Sequence, residues 1–299
     1  MQSRLQPRAQ RTIQRPAEVC GIGFLTGADI RLRFLPAPAH HGITFRRVDL
    51  IDAAPVPALV EYTIPRQRRT AISHRGVTIE MTEHVLAALS GLQIDNCVVE
   101  LDAPEPPGCD GSSLWFAEAL WDAGAVDQEA PRKTLQIRHD VCVRSDDRGQ
   151  VIRAQAGDAC PLDLTYSLNY GPSSPIAPQQ VRFTVTPETF LTEIAFSRTF
   201  VLEEEATALR AQGYGKRTTP RDLLIFGAGG VIENALRVPD ECARHKLLDC
   251  IGDFALLGCD LCGTVEASRS GHRLNAELLR RLKLAHAAEF DSTRIQHAA

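Results

Sequence analysis

Apolar and polar positions along this chain follow two periods. Alternation with a period of two, rich in β-branched and aromatic residues, predicts strands over 18–24, 29–34, 42–48, 56–63 and 70–79. A helical period takes over at 81–90 and is stopped by Gly91. A strand at 96–101, a Pro/Gly-rich run at 103–113 and a helix at 114–123 follow. The polar, proline-containing stretch 127–132 reads as a boundary between domains. Beyond it come strands over 133–145, 151–154, 162–169 and 181–185, helices over 187–194 and 203–212, and a strand over 223–226. The helix carrying His245 ends near Phe254, and an apolar strand-forming run and a helix over 275–288 follow. In each half a helix opening with a histidine, His84 or His245, runs to a glycine seven residues on, Gly91 or Gly252. The pattern predicts an α+β fold of two similarly built domains, 1–128 and 133–299, facing each other.

Composition changes this picture little. A chain of 299 residues buries a sizeable core in one or two domains, and its 23% charged and 44% apolar residues are ordinary for a soluble globular protein. A net charge of −4 gives no reason to invoke nucleic acid or an anionic membrane. The Gln- and Arg-rich start lacks the apolar core of a signal peptide, and no apolar run approaches a membrane span. The expectation is a cytoplasmic monomer acting on a small molecule. Nine scattered cysteines, an odd count without a paired framework, read as reduced thiols. Cys259 and Cys262 form a CxxC, but in a strand positions three apart face opposite sides.

The chemistry concentrates in the segment Asp240-Glu241-Cys242-Ala243-Arg244-His245-Lys246-Leu247-Leu248-Asp249-Cys250-Ile251-Gly252-Asp253. On a helix His245, Asp249 and Asp253 line one stripe, with Lys246 beside it. An imidazole and a carboxylate one turn apart present two ligands to one zinc ion. Glu83-His84 is the natural source of a third ligand and a free carboxylate, and together these groups suggest metal-assisted hydrolysis. A solvated helix face with ordinary ion pairs has the same spacing.

Further motifs carry a family resemblance. They are Gln10-Arg11-Thr12-Ile13, Pro36-Ala37-Pro38 with Gly42-Ile43-Thr44-Phe45-Arg46-Arg47, and Thr82-Glu83-His84 with Gly91-Leu92-Gln93-Ile94-Asp95-Asn96. Asp110-Gly111-Ser112, Ser197-Arg198-Thr199-Phe200, Arg244-His245-Lys246 and Ser270-Gly271-His272-Arg273-Leu274-Asn275 extend them. In this order they resemble the UDP-3-O-acyl-N-acetylglucosamine deacetylases, zinc amidases of lipid A synthesis. The resemblance implies two α+β domains stacked as a β-α-α-β sandwich with the metal site between them. It implies His84, His245 and Asp249 as zinc ligands, with iron(II) fitting the same set. By the same resemblance Glu83 is the base toward water, His272 the acid toward the leaving amine, and Asp253 its support. Lys246 and Thr199 would stabilise the oxyanion, and Phe200 would pack near the substrate. Inserts near 56–79 and 201–222 would wall an acyl passage, with Leu202, Ala206, Leu209 and Tyr214 as lining or as the insert's own packing.

The chain departs from the common family pattern at Gly23-Phe24-Leu25-Thr26-Gly27, where a histidine near the site is missing, at Asn169-Tyr170-Gly171-Pro172 and at Lys216-Arg217-Thr218-Thr219. These changes touch acyl-chain length and the fit of the sugar. They leave open a zinc amidase for another N-acylated nucleotide sugar, or a catalytically silent ligand-binding homologue. His40, His41, His74, His139, His286 and His297 read as surface residues, Asp110-Gly111-Ser112 as a packing turn and 66–69 as an exposed basic turn. Gly227-Ala228-Gly229-Gly230 lacks both the P-loop lysine and dinucleotide spacing.

Overall fold

The structure, a computed structural model, describes residues 7–145 and 149–287. Two five-stranded sheets frame it. The first runs Ala17–Ile22, Asp29–Pro36, Cys97–Leu101, Ile43–Arg47, Val56–Pro57 in spatial order. The second runs Val141–Ser145, Gln150–Gln155, Thr264–Ser268, Asp163–Leu168, Gln179–Thr184. In both the order of strands by appearance is first, second, fifth, third, fourth, and the third pairs parallel with the fifth. The other neighbours are antiparallel.

The described helices are α1 (Glu83–Gly91), α2 (Leu114–Ala123), α3 (Pro187–Thr189, continued by the π-helical turn Phe190–Ile194), α4 (Glu203–Ala211), α5 (Glu241–Ala255) and α6 (His272–Ala285). A parallel pair needs a crossover. It passes through α1 in the first half and α5 in the second, and α2 or α6 follows the returning strand. The histidine–glycine–strand echo is thus one part of a repeated topology. α2 lies against strand Ala17–Ile22, α5 and α6 lie on the second sheet, and α1 packs on both α2 and α5. The layers are sheet, helices, helices, sheet.

The central position of α1 follows from its composition. Every residue from Glu83 to Leu89 is buried, as expected of a helix that is apolar nearly all round. α5 approaches it so closely that a Cβ on Gly252 would lie 2.0 Å from the carbonyl oxygen of Glu83. Its counterpart Gly91 receives the ring of Phe190, which a Cβ would meet at 2.3 Å.

Two small sheets stand where the inserts were expected. Thr63–Ile64, Ala71–His74 and Val77–Glu80 form one. Phe200–Leu202, Leu224–Gly227 and Gly230–Val231 form the other, and α4 lies between its parallel strands.

Several local expectations are corrected. The stretch read as a domain boundary carries secondary structure: Ala125–Pro131 is a strand paired with Ala9–Ile13. The run after Phe254 begins as the end of α5, and strand returns only at Asp260–Cys262 and Thr264–Ser268. α6 starts at His272, earlier than expected, and residue 288 lies outside the described residues. His286 is buried, its Nδ1 bonded to Leu282 O at 2.9 Å, and His74 is half-buried. His297 lies outside the described residues. Cys262 is joined to Cys160 in a disulfide, so not all thiols are free. The 66–69 turn is exposed over residues 66–68, as expected, but its arginines are paired: Arg66 and Arg69 both bind Glu80, and Arg68 reaches Glu205 on α4 at 2.6 Å.

Candidate metal centre

Where α1 and α5 meet, three buried side chains converge. The ligating atoms of His84, His245 and Asp249 all lie within 4.8 Å of one another. His84 Nε2 and His245 Nε2 stand 3.6 and 3.5 Å from Asp249 Oδ1. Helical spacing puts His245 and Asp249 on one face of α5, and the close approach at Gly252 brings up the start of α1. His245 donates its Nδ1–H to Ser197 O at 3.0 Å, which leaves the Nε2 lone pair toward the cluster. Burial lowers the His245 pKa to about 3, so the ring is a neutral donor at neutral pH.

Burial alone would raise the Asp249 carboxyl. The Lys246 ammonium, 2.5 Å from Oδ2, instead holds it well below its ordinary value. Asp249 Oδ1 is buried and has no hydrogen-bond partner among the described residues. Such an orphaned carboxylate oxygen is costly. A cation between it and the two imidazoles removes that cost. The two imidazole nitrogens and one carboxylate oxygen are a donor set of the kind that holds a divalent metal ion.

Two further ionisable groups border the cluster. Glu83 is buried, its pKa raised by burial, and its Oε2 accepts the Thr70 backbone N–H at 3.1 Å. His272, the first residue of α6, places Nε2 at 3.8 Å from Glu83 Oε1 and 4.0 Å from Asp249 Oδ2. Its Nδ1 lies 2.9 Å from Asp253 Oδ2. Burial alone would lower His272, but the charge and hydrogen bond of Asp253 push it up to about 9. A helix N-terminus disfavours a cation, and Asp253 supplies the compensating charge.

The residues expected to touch substrate are placed less uniformly. Phe200 packs edge-on to His245 with ring centroids 6.1 Å apart, and meets Tyr170 at 5.8 Å and Phe226 at 6.3 Å. Thr199 lies just ahead of it, its N–H on Gly111 O at 2.7 Å and its carbonyl accepting from Leu224 at 3.0 Å. Leu202 is half-buried at the start of α4. Tyr214 faces the other insert, with the Arg69 guanidinium 6.0 Å from its ring centre. In the divergent loop, Leu25 N, Thr26 N and Thr26 Oγ1 all donate to buried Glu105.

Sequence reasoning missed Thr70, Ser197 and Asn275. Thr70 hydrogen-bonds Asp253 and His272, Ser197 orients His245, and Asn275 Nδ2 donates to Asp253 Oδ2 at 2.7 Å. Ser197 and Asn275 stand inside segments that carry the family resemblance, and that was an available signal. It also missed the buried ion pair of Arg198 with Glu241, 2.7 Å, which fixes the start of α5.

Comparison with known proteins bears on this geometry. The family model described as UDP-3-O-acyl N-acetylglycosamine deacetylase matches residues 10–284. A protein named UDP-3-O-acyl-N-acetylglucosamine deacetylase from Solibacter usitatus is 37% identical over 276 residues, covering 92% of this chain and 91% of its own. Proteins of the same name from Myxococcus xanthus and Chromobacterium violaceum are 34% and 35% identical, each over 91% of this chain and over 86% and 90% of their own.

Proposed function

The chain belongs to the UDP-3-O-acyl N-acetylglycosamine deacetylase family, an amide hydrolase family, and on that premise we propose that it removes the N-acetyl group of UDP-3-O-acyl-N-acetylglucosamine. The products are acetate and the free amine, in the cytoplasmic stage of lipid A synthesis. The observation that carries the reading is the buried His84–His245–Asp249 triangle with its orphaned Asp249 oxygen, bordered by Glu83 and His272. Among the described residues, no helix is long and apolar enough to cross a membrane.

In this reading His84 from the N-terminal unit, 1–128, and His245 and Asp249 from the C-terminal unit, 133–299, would hold zinc. Bound there, the ion supplies Lewis acidity that polarises the amide and acidifies water. Glu83 takes the proton of the attacking water. Lys246 and the Thr199 hydroxyl meet the negative charge that develops on the carbonyl oxygen. An amine anion is a poor leaving group, so the departing nitrogen must be protonated. His272, held as an imidazolium by Asp253, provides that proton. Phe200 packs beside the reacting end, and Leu202 and Tyr214 line an acyl passage between the inserts.

The test is acetate release from this substrate by the purified protein, with metal analysis, beside Glu83→Ala. Turnover that needs the bound metal and collapses in the variant is expected. Bound metal without turnover moves the search to other N-acylated nucleotide sugars. Neither metal nor turnover overturns the reading in favour of a silent homologue.

A further inference from the structure

Thr70 touches every proton-moving group at the centre. It is 5% exposed and belongs to the turn that leads into strand Ala71–His74, in the first insert. Its hydroxyl donates to Asp253 Oδ1 and stands 3.0 Å from His272 Nδ1. Its backbone N–H donates to Glu83 Oε2 at 3.1 Å. The hydroxyl has one proton, which goes to the carboxylate. Toward His272 it can therefore only accept, so the Nδ1–H points to Thr70 and Asp253 together. Asn275 closes the same carboxylate from the other side at 2.7 Å. His272 Nε2 is thereby directed at Glu83 and Asp249.

We propose that Thr70 is a positioning residue that fixes the Asp253–His272 pair and the Glu83 carboxylate in one arrangement, so that proton uptake and proton delivery face the same reacting amide. The inference rests on the roles given above to Glu83 and His272. Because Thr70 comes from the first insert while Asp253 and His272 come from α5 and α6, this contact also ties the insert to the reaction centre. A merely structural threonine would affect stability and leave the proton groups where they are.

The experiment compares Thr70→Val, which removes the hydroxyl at nearly constant shape, with Thr70→Ser, which keeps it. Thr70→Ala stands in if the valine variant does not fold. In acetate release the valine variant is expected to lose about 10- to 100-fold in kcat while KM stays within about twofold and metal content is unchanged. Serine is expected to restore kcat to within about threefold of the parent. Independently of turnover, the His272 Nδ1–H proton resonance, assigned by its loss in His272→Gln, is expected to weaken or move in the valine variant and persist in the serine variant. Native kcat and an unmoved resonance in the valine variant overturn the proposal, as does a serine variant as damaged as valine. If the parent releases no acetate, the proposed function falls, and the imidazole resonance alone decides the positioning role.

Discussion

α1 and α5 occupy equivalent places in two copies of one topology, yet they are different kinds of helix. α1 is short and buried nearly throughout, and it offers chemistry only at its first two residues, Glu83 and His84. α5 is longer and also largely buried, but it carries His245, Lys246, Asp249 and Asp253 along one stripe, with Leu247, Leu248 and Ile251 on its other side. The difference shows how a duplicated frame can build one asymmetric centre. One copy gives the end of a helix, the other a helical face, and the ligand triangle exists only when both are in contact. Their glycines differ in the same way. Gly252 admits the backbone of Glu83 itself, whereas Gly91 admits a side chain remote from the centre.

The sharpest way to break this comparison is to remove one ligand from each helix. His84→Ala and Asp249→Ala are each expected to cost at least about 100-fold in metal affinity, and activity with it, since even outer partners of a ligand cost 10–100-fold. Metal binding by calorimetry and elemental analysis checks this. Undiminished binding in His84→Ala would remove α1 from the centre.

A smaller effect separates the glycines. Gly252→Ala and Gly91→Ala should each destabilise by about 1–3 kcal/mol through overpacking, seen in denaturant unfolding. Gly252→Ala should lower kcat in its folded fraction because it displaces Glu83, and Gly91→Ala should not. Equal kcat in the two would show that the helix contact does not position the base.

The pH profile tests the α5 stripe. With His272 raised to about 9, the imidazolium persists through neutral pH, and activity should fall as pH rises through about 9. Asp253→Asn should draw that limb down toward 6.5, the ordinary value. The sign for stability is the same: a raised pKa stabilises the fold below about 6.5, and the contribution is lost as pH climbs through about 9. Glu83, raised by burial, must lose its proton to act as a base, so the acid limb should lie above the ordinary carboxylate range. A pH–rate profile reads both limbs. The smallest effect expected is at the clasp between the inserts. Arg68→Ala breaks an exposed pair with Glu205 and should cost about 0–1 kcal/mol in thermal unfolding.

What could be read from sequence divides along physical lines. The α5 stripe was legible because helical periodicity is local, and the two inserts because the resemblance covered them. The partners that orient the centre were not. Thr70 is 183 residues from Asp253, and Ser197 is 48 from His245. No local period reports such a contact. The strand Ala125–Pro131 hid behind polar residues because it pairs at an exposed edge with Ala9–Ile13. His286 looked superficial, but the last turn of α6 buries it against Arg138, whose N–H donates to Nε2 at 3.3 Å. Cys160 and Cys262 are 102 residues apart and meet only through the fold.

The proposed function requires that α1 and α5 together form a hydrolytic metal site. The most direct measurement strips the protein of metal with a chelator and titrates zinc back while following acetate release from UDP-3-O-acyl-N-acetylglucosamine. Activity should rise with zinc and level at about one ion per chain, with no recovery in Asp249→Ala. Activity that is indifferent to metal, or equal recovery in Asp249→Ala, would contradict it.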